Sequence, residues 1–124
     1  MQLQKSFLLF LCESPFQHES AEQVCEIAKS ALKKGHRVSI FMMMDGVYNP
    51  VKSQNGAPFN TTSISDRFSE LLKQGVKMSA CRVCMELRGV NETMYPEGIT
   101  AGGIFDLSEM IAESDVVLNF NGRQ

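Results

Sequence analysis

The sequence has no long run of apolar residues and no block of like charge. Its apolar stretch at residues 7–11 is followed at once by Cys12 and Glu13, and it is too short for a membrane span or a signal peptide. The 12 basic and 14 acidic residues are interspersed, so the net charge of −2 gives no footprint for nucleic acid or an anionic membrane. We therefore expect a cytoplasmic protein that binds neither directly.

The sequence also has too few metal-binding residues for a structural zinc site. Zinc needs four ligands, and the one Cys-x-x-Cys pair, Cys81 and Cys84, has no second pair to complete it, with only His18 and His36 elsewhere. In a reducing cytoplasm the four cysteines are expected to be free thiols. We therefore expect no metal, and chemistry or burial must account for each cysteine.

Strand-like and helix-like patterns alternate along the 124 residues, with no sign of a linker, a repeat or a second domain. Continuous apolar runs ended by turn residues predict four strands, at 7–12, 37–44, 76–80 and 116–120. Apolar residues at helical spacing predict four helices, at 20–34, from 64 to Gly75, between Cys81 and Gly89, and around Leu107, Met110 and Ile111. Ser20 and Gln23 are predicted to cap the first helix, and the segment with Gly102 and Gly103 is predicted to be a loop.

This alternation predicts an α/β fold, a three-layer sandwich with a mostly parallel central sheet of four to five strands flanked by helices. Ligands of such sheets collect beyond the carboxyl ends of the strands. Segments 12–14, 45–48 and 81–82 follow three of the strands, so we expect them to line one crevice with Cys81 at its floor. The long loop at 48–62 is the candidate for a lid or a docking surface.

The most informative residue is Cys81, which ends a predicted strand and opens a helix. Outward-pointing N–H groups and the helix dipole favour an anionic sulfur there, although a small buried side chain is the alternative. Cys84, one helical turn further on, is either a second reactive thiol or a core residue. Arg88 is a candidate to stabilise an anionic persulfide through its guanidinium. The alternative is that its charge only complements the dipole at the end of the helix. His18 is a candidate proton carrier or an exposed surface side chain.

Several short segments occur in the order found in one family. They are Asp45-Gly46-Val47-Tyr48-Asn49-Pro50, Gly75-Val76-Lys77-Met78, Cys81 with Leu87-Arg88-Gly89-Val90, Gly98-Ile99, and the closing Ser114-Asp115-Val116-Val117-Leu118-Asn119-Phe120. Through them the chain resembles the DsrE/DsrF/TusD family of sulfur-relay proteins, as one DsrE-like domain over residues 1–124. The resemblance implies a small α/β subunit that assembles into homo- or hetero-oligomers, as trimers or hexamers.

The resemblance also implies a function. Cys81 would accept sulfur as a persulfide from a donor protein and hand it to an acceptor protein, with no metal or organic cofactor, in tRNA 2-thiouridine synthesis or in dissimilatory sulfur metabolism. Asp45 and Tyr48, which follow the second predicted strand, are candidate supporting residues for this site, and Cys81 is the only residue whose role the resemblance carries over. Such a chain is a persulfide-transfer subunit rather than a stand-alone enzyme.

Cys84 is where this chain departs from the tRNA-thiolation members, which have a small apolar residue there. A thiol–disulfide redox protein or sensor that uses Cys81 and Cys84 is therefore the alternative function, and it requires both thiols. A third possibility is a non-catalytic subunit whose cysteines only pack.

Overall fold

The central element of the fold is a five-stranded parallel sheet. The computed structural model describes residues 3–122, and its strands lie in the order β4-β3-β2-β1-β5 with every pair parallel. Their bounds are β1 Ser6–Leu11, β2 Arg37–Met42, β3 Lys77–Cys81, β4 Ile99–Gly102 and β5 Val116–Phe120. The predicted α/β class is confirmed, and the sheet has five strands, all of them parallel.

Four helices connect the strands: α1 Ser20–Lys33, α2 Ile64–Lys73, α3 Arg82–Leu87 and α4 Ile104–Ala112. Because crossovers between parallel strands are right-handed, α1 and α2, which lead from β1 to β2 to β3, lie on one face of the sheet. The chain returns across the sheet from β4 to β5 through α4, which therefore lies on the opposite face. The result is the three layers that the sequence predicts.

Two local predictions are wrong. The segment at 99–102 is the strand β4, although four residues that include Thr100 and Gly102 give no apolar run to recognise. Ser20 does not cap α1, because its hydroxyl donates to the carboxylate of Glu13 at the end of β1, and the N-cap is Glu19 without a side-chain hydrogen bond.

The core fills both sides of the strands. Leu9 of β1 and its partner Ile40 of β2 point to one face of the sheet and are fully buried, and Leu8 of β1 points to the other face and is fully buried too. Phe68 of α2 is also fully buried. By contrast, α4 buries only Met110 among its side chains. None of the helices in the described range is long and apolar enough to cross a membrane.

Candidate functional site

Cys81 lies where strand β3 turns into helix α3. It is the last residue of β3 and the N-cap of α3, with extended backbone angles (φ −66°, ψ 119°). Its sulfur accepts a hydrogen bond from the backbone N–H of Cys84 at 3.4 Å, and the residue is 9% exposed. The thiol therefore has an amide donor of the kind that favours a sulfur anion, and a limited opening to solvent.

That opening leads into a pocket of about 530 Å³ at the carboxyl edge of the sheet. Apolar side chains of β2 and its extension, Phe41 and Met43, line it together with Leu107 of α4. Gly102 and Gly103 form part of its wall, and no side chain extends from them into the space. Arg82 and Asp106 are the charged residues of the lining. The pocket is thus largely apolar, with one thiol in its wall, and it has room for a further sulfur atom.

Cys84 is packed on the other side of the α3 turn. Its thiol neighbours the Cys81 sulfur and the backbone N–H of Met44, both of which act on its pKa, and it does not line the pocket. Burial raises the pKa of Cys84, and the neighbouring Cys81 raises it further, while the Met44 N–H and Arg88 act in the opposite direction. Cys84 is therefore a protonated thiol beside the Cys81 sulfur at neutral pH.

Arg88 joins α3 to the turn that follows β2. Its Nε donates to Oδ1 of Asp45 at 2.8 Å, and its Nη1 donates to the carbonyl of Cys84 at 3.2 Å. The hydrogen bond with Asp45 raises the pKa of the Arg88 guanidinium, to which the nearby Tyr48 contributes. Arg88, Asp45 and Tyr48 thus lie on the Cys84 side of the turn rather than in the Cys81 pocket.

The turn itself is the short 3-10 helix Met44–Tyr48, called here the 44–48 turn. Met44 opens it in the left-handed region (φ +53°), which is a strained conformation for a residue other than glycine. Tyr95 fixes it from one side, because its buried hydroxyl donates to the Val47 carbonyl at 2.6 Å. Asn49 fixes it from the other, with Nδ2 donating to the carbonyls of Glu13 and Gly46 at 2.8 and 2.9 Å.

His18 does not reach the Cys81 pocket. Its Nε2 lies 3.4 Å from Oε2 of Glu13, and its side chain is half exposed. Burial raises the pKa of Cys12 to about 11, and the nearby Cys84 and Glu13 contribute to that increase. Both residues follow β1 and lie away from the pocket lining.

The three segments predicted to share one crevice are therefore divided. Of segments 12–14, 45–48 and 81–82, only the last lines the Cys81 pocket, and the loop at 48–62 does not cover it either. The wall opposite Cys81 comes from residues 101–107. Side chains of successive strand residues point to opposite faces of a sheet. Three segments that follow neighbouring strands therefore need not place their side chains on the same face.

Sequence reasoning missed the residues that form the pocket wall and the donor at Met44. The pair Gly102-Gly103 was the available signal, because adjacent glycines permit a close backbone approach. Nothing in the sequence marks Met44, since methionine has no preference for the left-handed region. In the part of the chain that the structure describes, no three His, Cys, Asp or Glu side chains form a group that could hold a metal ion.

Thiol alkylation offers a direct check of this geometry. We expect iodoacetamide to label Cys81 of the native protein before Cys12, because a thiol with a pKa of about 11 has roughly a hundredfold less thiolate near neutral pH than an ordinary one. Cys25, which is 1% exposed and has a pKa raised to about 12 mainly by burial, should react only on unfolding. Peptide mass spectrometry over time gives the order, and equally slow labelling at all four cysteines would support the purely packing role.

Comparison with known proteins adds a family and a fold. The family model described as the DsrE/DsrF-like family matches residues 5–120. An uncharacterised protein of Methanopyrus kandleri is 32% identical over 110 residues, which cover 89% of each chain. The Allochromatium vinosum protein named "Putative sulfurtransferase DsrE" is 33% identical over 86 residues, which cover 68% of this chain and 65% of that protein.

Among solved structures, the crystal structure of the ychN protein from E. coli has the same fold. It superposes with a TM-score of 0.84 at 22% identity, over 95% of this chain and all of that one. A Methanobacterium thermoautotrophicum protein of unknown function superposes with a TM-score of 0.73 over 93% of this chain, at 16% identity.

Proposed function

The chain belongs to the DsrE/DsrF-like family, and on that premise we propose that it is a sulfur-relay protein that carries sulfur as a persulfide on Cys81. The observation that supports this most is the position of the Cys81 sulfur. It accepts the Cys84 N–H at 3.4 Å and lines a pocket of about 530 Å³ whose other lining residues are largely apolar. A sulfurtransferase name on a relative of 33% identity agrees with such a role.

The chemistry needs only the thiol and its surroundings. The Cys81 thiolate attacks the outer sulfur of a donor persulfide, the donor S–S bond breaks, and the donor cysteine leaves as a thiolate that takes up a proton. The product is Cys81-S-SH. Its outer sulfur extends into the pocket, where apolar walls exclude water and oxidants until an acceptor thiolate attacks that same sulfur.

The partners are therefore a donor protein that carries a persulfide and an acceptor protein with a reactive cysteine. The pathway is either tRNA 2-thiouridine synthesis or dissimilatory sulfur metabolism. The experiment is to incubate the native protein with a persulfide-loaded cysteine desulfurase and measure its intact mass. We expect the gain of one sulfur atom, mapped by peptide analysis to Cys81 and lost on mild reduction. No gain from any donor would overturn the proposal.

We also propose that the subunits assemble, as trimers or hexamers, through the apolar side chains that surround the pocket. Val83 and Leu87 of α3 are 63% and 78% exposed, and Ile104 and Phe105 of α4 are 74% and 87% exposed. Val83 and Ile104 also line the pocket, so a neighbouring subunit on this surface would cover the thiol. Leu87 and Phe105 lie on the same two helices as Val83 and Ile104, and large exposed apolar side chains grouped in this way mark interaction surfaces.

Sedimentation velocity checks the assembly. We expect the native protein to sediment as a trimer or hexamer and Phe105→Glu to sediment as a monomer, since a charge desolvated at an interface is unfavourable. Phe59→Glu is the matched control, because Phe59 is 78% exposed but lies in a loop outside this surface. A native protein that is monomeric, or a Phe105→Glu variant that assembles normally, would contradict the proposal.

A further inference from the structure

The two thiols of the Cys81–Cys84 pair are held together but face different spaces. Their residues are three apart at the start of α3, the Cys84 N–H donates to the Cys81 sulfur at 3.4 Å, and the Cys81 side chain raises the pKa of the neighbouring Cys84 thiol. Two cysteines at this Cys-x-x-Cys spacing at the start of a helix can form a disulfide, as they do in disulfide oxidoreductases. Only Cys81 lines the pocket.

Because only Cys81 lines the pocket, Cys84 can reach only one of the two sulfurs of a Cys81 persulfide. The outer sulfur of Cys81-S-SH would extend into the pocket, which Cys81 lines and Cys84 does not. The inner sulfur, Sγ of Cys81, is the one that Cys84 contacts. An attack by Cys84 on that atom would expel the outer sulfur into the pocket as the leaving group.

We propose that Cys84 is a resolving thiol that discharges the Cys81 persulfide as sulfide when no acceptor protein takes the sulfur. This proposal rests on the proposed function of Cys81. Cys84 gives up its proton and its sulfur bonds to Sγ of Cys81. The bond from Sγ to the outer sulfur breaks, and the electron pair leaves with the outer sulfur as HS⁻, which takes up the proton. The outer sulfur is reduced and the two cysteines are oxidised to a disulfide, which a dithiol reductant restores.

The surroundings of Cys84 make this discharge slow near neutral pH. Burial and the neighbouring Cys81 raise the pKa of Cys84, so little of its thiolate is present. The other groups that act on Cys84 are the Met44 N–H and Arg88, which lower that pKa. Cys12, whose own pKa is raised to about 11, is a protonated thiol and does not act on the pKa of Cys84. A docked acceptor therefore has time to take the sulfur first, and discharge should accelerate as the pH rises.

The test loads the protein chemically, so that it does not depend on a protein donor. The native chain and the Cys84→Ser variant are treated with inorganic polysulfide and desalted, and then sulfide release and intact mass are followed. We expect the native protein to release one sulfide per persulfide and to lose two hydrogens relative to the reduced chain. The Cys84→Ser variant should hold its persulfide roughly tenfold longer or more.

Two controls separate the possible outcomes. Cys12→Ser removes a thiol that lies near Cys84 but outside the α3 turn, and it should discharge like the native protein. Cys84→Ala is a second variant without the thiol, and it shows whether an effect of Cys84→Ser comes from loss of the thiol or from the serine itself. Circular dichroism checks that the variant is folded. Equal persulfide lifetimes in the native protein and both Cys84 variants would overturn the resolving role and leave the relay intact. Normal discharge without any exchange with protein persulfides would overturn the relay instead. A Cys81 that takes no sulfur even from polysulfide would overturn both.

Discussion

Replacing Cys81 by serine should abolish sulfur loading, by about a thousandfold or more, because loss of the nucleophile removes the only step that forms the persulfide. A serine hydroxyl does not ionise near neutral pH and forms no persulfide. The measurement is the rate at which one sulfur atom is gained from a persulfide-loaded donor, followed by intact mass.

The Cys81→Ser variant should remain folded, which makes its loss of loading easy to interpret. Cys81 is the N-cap of α3, and its sulfur accepts the Cys84 N–H at 3.4 Å. Serine is a preferred N-cap residue, and its hydroxyl accepts the same backbone donor. Unfolding curves of the variant and the native protein should therefore nearly coincide.

Two matched variants complete the experiment. Cys12→Ser removes a half-buried thiol outside the turn, and Cys84→Ser removes the neighbouring one; both should still gain one sulfur atom. A thiol–disulfide redox protein would instead need Cys84 as much as Cys81. Undiminished loading of Cys81→Ser would show that another cysteine carries the sulfur and would refute the proposed function.

The fold was predictable because its signals are local. Buried parallel strands have continuous apolar runs in the sequence, and the helices between them have apolar residues at helical spacing. The alternation of these two patterns alone implied a layered parallel sheet. The strand β4 was not predicted from the sequence, because Ile99–Gly102 is short and contains glycine, and because its structure depends on pairing with β3. The end of β2 shifted from the predicted residue 44 to Met42 because Met44 adopts a left-handed conformation.

The site was predictable only in part. The position of Cys81 at a strand-to-helix turn followed from the local pattern, and the structure places it there. Which neighbours share its pocket did not follow, because that depends on the face of the sheet to which each chain end turns. Asp45, Tyr48 and Arg88 lie with Cys84, whereas the residues opposite Cys81 come from a segment predicted as a loop.

Gly46→Ala should strongly destabilise the protein. A Cβ at position 46 would lie 2.1 Å from the carbonyl oxygen of Leu11 and 2.9 Å from its carbonyl carbon. Those are backbone atoms at the end of a central strand, so they cannot rotate aside. We expect the free energy of unfolding to fall by about 3 kcal/mol or more, and the melting temperature by roughly 10 °C or more at fixed protein concentration.

The matched control is Gly103→Ala, because a Cβ there meets nothing within 4 Å and the backbone (φ −124°) is open to alanine. Its unfolding free energy should change by less than about 1 kcal/mol. If Gly46→Ala were as stable as this control, the close contact between the 44–48 turn and β1 would be absent in solution. Gly46 lies in the same turn as Met44, whose N–H lowers the pKa of Cys84, so a folded Gly46→Ala protein should also show an altered lifetime of the Cys81 persulfide. Stability and persulfide lifetime thus report on one contact, which links the packing of a glycine to the chemistry of the thiol pair.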